Sequence, residues 1–241
     1  MFGDIANSEG ERLDYSFHEG SAGSRDVVVI GHGVTGNKDR PFVIALAEGL
    51  AAAGINALRF SFAGNGDSGG RFVDATISKE VEDLGSVMDA LAGYRIIYVG
   101  HSMGGAVGVL RTSRDERVSA LVSLAGMVHT QAFAEREFGD VEPGVGCMWE
   151  DEDCPLSQQY VDDMAQIDSV VELGAKIAVP WLLVHGSEDD VVPPGDATDI
   201  IARAPHGVEQ VVIDGANHVF SDHADGMVQV VVEWVQRQLT P

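Results

Sequence analysis

The sequence predicts an α/β protein, a mainly parallel sheet flanked by helices, with a short insertion inside a single domain. Three observations carry the prediction. Short runs rich in β-branched residues alternate with segments whose apolar positions recur at helical spacing, and that alternation calls for crossover helices between parallel strands. Several of the runs end in a glycine-bearing turn that leads into a helix. A hydrophobic content of 45% over 241 residues is enough for one sizeable core.

Taken in order, residues 12–18 alternate like an edge strand and are followed by a glycine-rich turn over 19–25. Residues 26–31 read as a buried strand that runs into Gly31-His-Gly-Val-Thr-Gly36-Asn-Lys38. A helix follows, with Phe42, Ile44, Ala45, Leu46, Leu50 and Ala51 on its buried face. Residues 56–62 form the next strand. From Ser78, a plausible cap, to Leu91 the residues Val81, Leu84, Val87, Met88 and Leu91 mark a helix with acids in its first turns. A strand over 95–100 leads through Ser102 into a helix, and 118–126 is another strand.

Between residues 127 and 176 the alternation lapses. Met127, Phe133, Phe138, Met148, Trp149, Tyr160 and Met164 lie there with the acidic run 150–153, a composition too apolar for disorder. We read it as a cap over the carboxyl ends of the strands, where ligands bind in open α/β sheets. Regular structure resumes with a strand over 179–185, a helix over 196–204 and a strand over 209–214. The closing helix carries a stripe of Met227, Val230, Val231, Trp234, Val235 and Leu239.

Composition excludes several classes. A formal net charge of −23, with the acids spread along the chain, repels nucleic acid and anionic membrane surfaces, both of which need a basic footprint. No apolar run approaches the roughly 18 residues that span a bilayer, and the first residues lack a basic region followed by an apolar one. The expectation is a soluble, cytoplasmic protein. Cys147 and Cys154 are the two cysteines, too few for a disulfide scaffold; a local bridge between them is sterically possible, and free thiols are expected.

Two stretches fit G-x-S-x-G, in which a serine sits on a strained strand-to-helix turn with its hydroxyl exposed. In Gly100-His-Ser102-Met-Gly104 a β-rich run precedes and a helix follows. Bending that sharply presses the helix start against the strand end, so positions two before and two after the serine have no room for a side chain. Gly66-Asp-Ser68-Gly-Gly70 resembles the nucleophile signature of chymotrypsin-like proteases, with Arg71 in place of proline. That family is all-β and its serine comes last. Only His18 and His32 precede Ser68, and no apolar helix follows it; we read a tight turn.

Gly31-His-Gly33-Val-Thr-Gly36 spells G-x-G-x-x-G after a strand. A dinucleotide site also wants an acid at the end of the next strand, where Ala63-Gly-Asn65 stands, and the lysine is misplaced for a phosphate-cradling Walker loop. No cofactor is expected. The loop serves instead as an oxyanion clamp, the amides of Val34 and Met103 being the two donors. No histidine pair has metal-ligand spacing with a carboxylate, so no metal is expected either.

Ser102, Asp189 and His218 each fall just past the end of a different strand, in the chain order of the α/β-hydrolases. Gly100-His-Ser-Met-Gly-Gly105, His32-Gly33, His185-Gly-Ser-Glu-Asp189-Asp-Val-Val-Pro193 and Gly215-Ala-Asn-His218 resemble signature segments of that superfamily along nearly the whole chain. His32-Gly-Val-Thr-Gly-Asn-Lys38 and the stretch 59–70 resemble more narrowly its cinnamoyl and feruloyl esterase branch and the neighbouring serine aminopeptidase-like hydrolases. Asn65 departs from the histidine usual there, and the cap is short and acidic beside typical feruloyl esterases.

The resemblance implies a cofactor-independent serine hydrolase acting on a small-molecule carboxylic ester through an acyl-enzyme, with Ser102 as nucleophile, His218 as base and Asp189 as its orienting acid. Glu188 and Asp190 adjoin Asp189 and compete for that role; the spacing to Val192-Pro193 resembles the family when Asp189 is chosen. His223 competes with His218, while His129, His185 and His206 read as structural. Met127, Phe133 and Trp149 of the cap are the expected substrate contacts, for an uncharged, partly apolar ester; the run 150–153, if near the mouth, disfavours anionic substrates. A peptidase or acyltransferase with the same triad, or a silent binding protein on the same fold, is the competing reading.

Overall fold

A computed structural model describes residues 2–204 and 207–240; His206 lies outside the described residues. The sheet has seven strands: β3 (Tyr15–His18), β4 (Asp26–Gly31), β5 (Asn56–Phe60), β6 (Arg95–His101), β7 (Val118–Leu124), β8 (Trp181–Gly186) and β9 (Val208–Ile213). They lie in the order β3-β5-β4-β6-β7-β8-β9, and only β3 runs antiparallel to its neighbour. A separate antiparallel pair joins β1 (Ile5–Ala6) and β2 (Arg12–Leu13).

Central strands are apolar on both faces because each face carries helices. In β4, Val27 and Val29 join one core and Val28 and Ile30 the other; in β6, Ile96 and Tyr98 part from Ile97 and Val99 in the same way. That alternation is the two-residue period of a strand. On the first face pack α2 (Ile77–Ala90) and α3 (Met103–Thr112), and on the second α1 (Pro41–Ala52) and α7 (Ala224–Leu239). Between β7 and β8 the chain forms α4 (Thr130–Phe138) and α5 (Gln158–Ile167), and α6 (Gly195–Ile201) precedes β9.

Of the boundaries that differ from expectation, three have a hydrogen bond as their cause. The edge run breaks at Asp14, whose carbonyl accepts from Ser61 N at 2.9 Å while β2 pairs with β1 and β3 with β5. Helix α2 is capped by Thr76, whose hydroxyl accepts from Lys79 N at 3.1 Å; the amide of Ser78 instead donates to Asp163 of α5 at 3.0 Å. Strand β5 stops at Phe60, since Phe62 N donates to His32 Nε2 at 3.0 Å. Cys147 and Cys154 are free thiols. Among the described residues no helix is long and apolar enough to cross a membrane.

Candidate active site

Ser102 stands between β6 and α3 with φ 54° and ψ −118°, a conformation that costs a non-glycine residue on the order of 1–3 kcal/mol. The glycines around it are required by contact. A Cβ on Gly100 would lie 2.0 Å from Gly104 O, and one on Gly104 would lie 2.6 Å from His32 O. Ladder bonds hold the turn from both sides, with Ser102 N donating to Leu124 O at 2.9 Å and Met127 N donating to Ser102 O at 3.0 Å.

The loop after β4 packs directly on this turn, since a Cβ on Gly33 would fall 2.8 Å from Ser102 Cβ. Both nitrogens of buried His32 are engaged: Nδ1 lies 2.9 Å from Gly33 O and Nε2 accepts from Phe62 N. Its ring is neutral, with burial drawing its pKa down to about 4. Gly36 N donates to Gly33 O at 3.0 Å, and Thr35 adopts φ 54°. Among the described residues, neither Val34 N nor Met103 N has an acceptor within the chain. For Met103 this is the ordinary state of the first amide of a helix.

Asp189 lies in the loop after β8 and is the inward-turned member of three adjacent acids, Glu188 and Asp190 being exposed. Its Oδ1 accepts from the amides of Val191 and Val192 at 3.0 and 2.9 Å. His218, in the loop after β9, brings Nδ1 to 2.9 Å from Oδ2. Burial opposes the charge on Asp189, yet the bonds from His185, His218 and Val192 hold it well below the usual carboxylate range. A carboxylate only accepts, so His218 carries a proton on Nδ1, the tautomer in which a neutral imidazole has its lone pair on Nε2. His218 O accepts from Nε2 of buried His101 at 2.9 Å, and burial beside His218 draws the His101 pKa down to about 3.

Ser102 and His218 open on one cavity of about 330 Å³, together with Val34, Thr35, Arg40, Phe42, Trp149, Val191 and Val219. Ser102 Oγ makes no hydrogen bond to the His218 ring, which bonds Asp189. In ligand-free sites such contacts are commonly long and tighten on binding. Of the three expected substrate contacts, Trp149 reaches the cavity and Met127 and Phe133 do not. Both are buried in the core, Phe133 with its ring centroid 6.0 Å from that of Phe138. Sequence reasoning missed Arg40, Phe42, Val191 and Val219, which come from three loops or loop ends with no shared periodicity. It also missed His101 and His185. His223 lies at the start of α7, away from the cavity, and Ser68 is a turn residue whose hydroxyl donates to Ser61 O at 2.7 Å.

Residues 26–145 match the family described as the alpha/beta hydrolase fold. The chain belongs to the α/β-hydrolase superfamily. This hydrolase superposes on Est1E of Butyrivibrio proteoclasticus, solved with ferulic acid bound, with a TM-score of 0.84 at 24% identity over 98% of each chain. It is 26% identical to the mitochondrial palmitoyl-protein thioesterase ABHD10 of Bos taurus over 212 residues, 83% of this chain and 68% of that protein. It is 25% identical to a monoacylglycerol lipase of Mycolicibacterium smegmatis over 98% of this chain and 96% of the other.

Proposed function

We propose that this α/β-hydrolase cleaves carboxylic esters through an acyl-enzyme, with Ser102 as nucleophile, His218 as general base and Asp189 as its orienting acid. The observation that carries the reading is that a serine held in a strained turn and an imidazole held by a buried carboxylate open on the same cavity. A serine hydroxyl is a weak nucleophile at neutral pH and needs such a base.

In the first step Ser102 Oγ attacks the ester carbonyl carbon while His218 Nε2 takes its proton. The alkoxide forms on the former carbonyl oxygen, and the amides of Val34 and Met103 supply the donors it needs. The tetrahedral intermediate collapses to the acyl-serine, and His218 returns the proton to the departing alcohol. Water then repeats the sequence and releases the acid. Losing one oxyanion donor in such a site costs on the order of 3 kcal/mol, so the loop 33–36 belongs to the catalytic machinery beside the triad.

The segment 127–176 is proposed as a cap whose Trp149 closes one side of the cavity, and Phe42, Val191 and Val219 suit a partly apolar substrate. Relatives named as a palmitoyl-protein thioesterase and a monoacylglycerol lipase support acyl transfer to water. A fluorophosphonate probe is expected to label the wild type at Ser102 and to leave Ser102→Ala unlabelled. A panel of p-nitrophenyl esters, thioesters and aminoacyl anilides ranks the chemistry. Preference for the anilides would overturn the ester reading, and an unlabelled wild type would favour a silent binding protein.

A further inference from the structure

Among the described residues the guanidinium of Arg40 has no counter-ion. Arg40 is exposed just before α1, donates one bond to Thr35 O at 2.8 Å, and lines the cavity that holds Ser102. Among the described residues every other arginine pairs with a carboxylate or, in the case of Arg25, stacks over the Tyr94 ring at 5.2 Å. With 38 acidic residues against 15 basic ones, carboxylates are plentiful, and the fold nevertheless leaves this arginine, on the wall of the cavity that holds Ser102, unmatched.

The surroundings sharpen the point. No Asp or Glu lines the cavity, and the acidic run 150–153 is exposed outside it. Behind the lining residues Val191 and Trp149, Arg136 is already satisfied: it pairs with Glu137 at 3.0 Å and donates to Val191 O at 2.6 Å, while Glu137 takes the Trp149 indole N–H at 3.2 Å. The buried rings of His32 and His101 are neutral. The cavity therefore offers one unneutralised positive group among mostly apolar walls. A guanidinium presents a planar fork that matches the two oxygens of a carboxylate or phosphate. The chain's overall negative charge acts over a Debye length of about 8 Å at physiological salt, and it does not offset a contact made inside the cavity.

We propose that Arg40 is an anion subsite and that the natural substrate is an ester bearing a carboxylate or phosphate, held by this guanidinium while its carbonyl meets Ser102. The proposal rests on the hydrolase reading above and adds the substrate class. It replaces the sequence-based expectation of an uncharged ester with one that is partly apolar and anionic at one end.

Two pairs of substrates test it. In the first the anion is on the acyl part: the p-nitrophenyl monoester of adipic acid against the same compound with its free carboxyl methylated. In the second it is on the alcohol part: 2-phosphoethyl butyrate against 2-methoxyethyl butyrate. For each pair the ratio of kcat/KM, anionic over neutral, is measured in wild type, Arg40→Gln and Arg40→Lys. We expect Arg40→Gln to lower that ratio by about tenfold or more in at least one pair, with Arg40→Lys retaining part of it. A ratio that falls less than about threefold in both pairs overturns the proposal. Reading a ratio removes any general loss of activity from the comparison. If no member of either pair is turned over by wild type, the hydrolase reading itself fails, and the anion subsite fails with it.

Discussion

Nε2 of His185 stands 3.1 Å from Oδ2 of Asp189, the same oxygen that Nδ1 of His218 approaches to 2.9 Å. Asp189 therefore lies between two imidazoles. His185 Nε2 is also 2.9 Å from Val192 O, which only accepts, so this nitrogen carries the proton that it shares with Asp189. Although burial opposes charge on its ring, the bonds to Asp189 and Val192 hold the His185 pKa above its ordinary value. His185 acts on the proposed base through Asp189, as a positioning residue. We expect His185→Leu to lower kcat roughly tenfold with KM little changed, about 1.4 kcal/mol, close to the lower end for a hydrogen bond to a charged group. His185→Gln, which keeps a donor, is expected to recover part of it. A loss confined to KM would contradict this role.

Asp189→Asn removes the charge that fixes the His218 tautomer. By analogy with other Ser-His-Asp enzymes, kcat is expected to fall on the order of 10³ to 10⁴-fold. The pH dependence of stability follows from the same group. Because its folded pKa lies below the unfolded value near 3.8, Asp189 contributes stability that is present above the unfolded pKa and is lost as pH falls through the folded one. Denaturation midpoints of wild type and variant should thus differ most near neutrality and converge in acid.

Glu80 carries the opposite sign. It is 1% exposed, its Oε2 has no partner among the described residues, and burial followed by the neighbouring charges of Asp83 and Asp163 raises its pKa well above the ordinary range. Such a group stabilises the fold fully below the unfolded pKa near 4.5, and the contribution is lost as pH rises through the folded value. Glu80→Gln is expected to be more stable than wild type at pH 8, by about 1–3 kcal/mol, with the gap closing by pH 4. A urea titration at the two pH values decides it.

At the serine turn, Gly100→Ala forces a methyl group onto the Gly104 carbonyl. Overpacking against backbone costs at least about 1–3 kcal/mol, which in a chain of this size lowers Tm by several degrees. Fluorophosphonate labelling of Ser102 is expected to fall with it. Gly226, in α7 with no atom near its Cβ position, is the control: Gly226→Ala should raise Tm slightly, since alanine is favoured over glycine in a helix by about 0.5–1 kcal/mol.

What the sequence determined by itself was local: the buried run that became β4, the amphipathic pattern of α2, and a serine turn whose leading glycine, Gly100, is demanded by backbone contact with Gly104. Strand alternation with helices likewise yielded the parallel sheet. Choosing among Glu188, Asp189 and Asp190 on contact grounds, separating Trp149 at the cavity from Met127 and Phe133 in the core, and gathering Arg40, Phe42, Val191 and Val219 around Ser102 were left to the tertiary structure. The physical reason is range. Sterics and periodicity act between near neighbours in the chain, whereas burial and pairing depend on which distant segments the folded sheet brings to one edge.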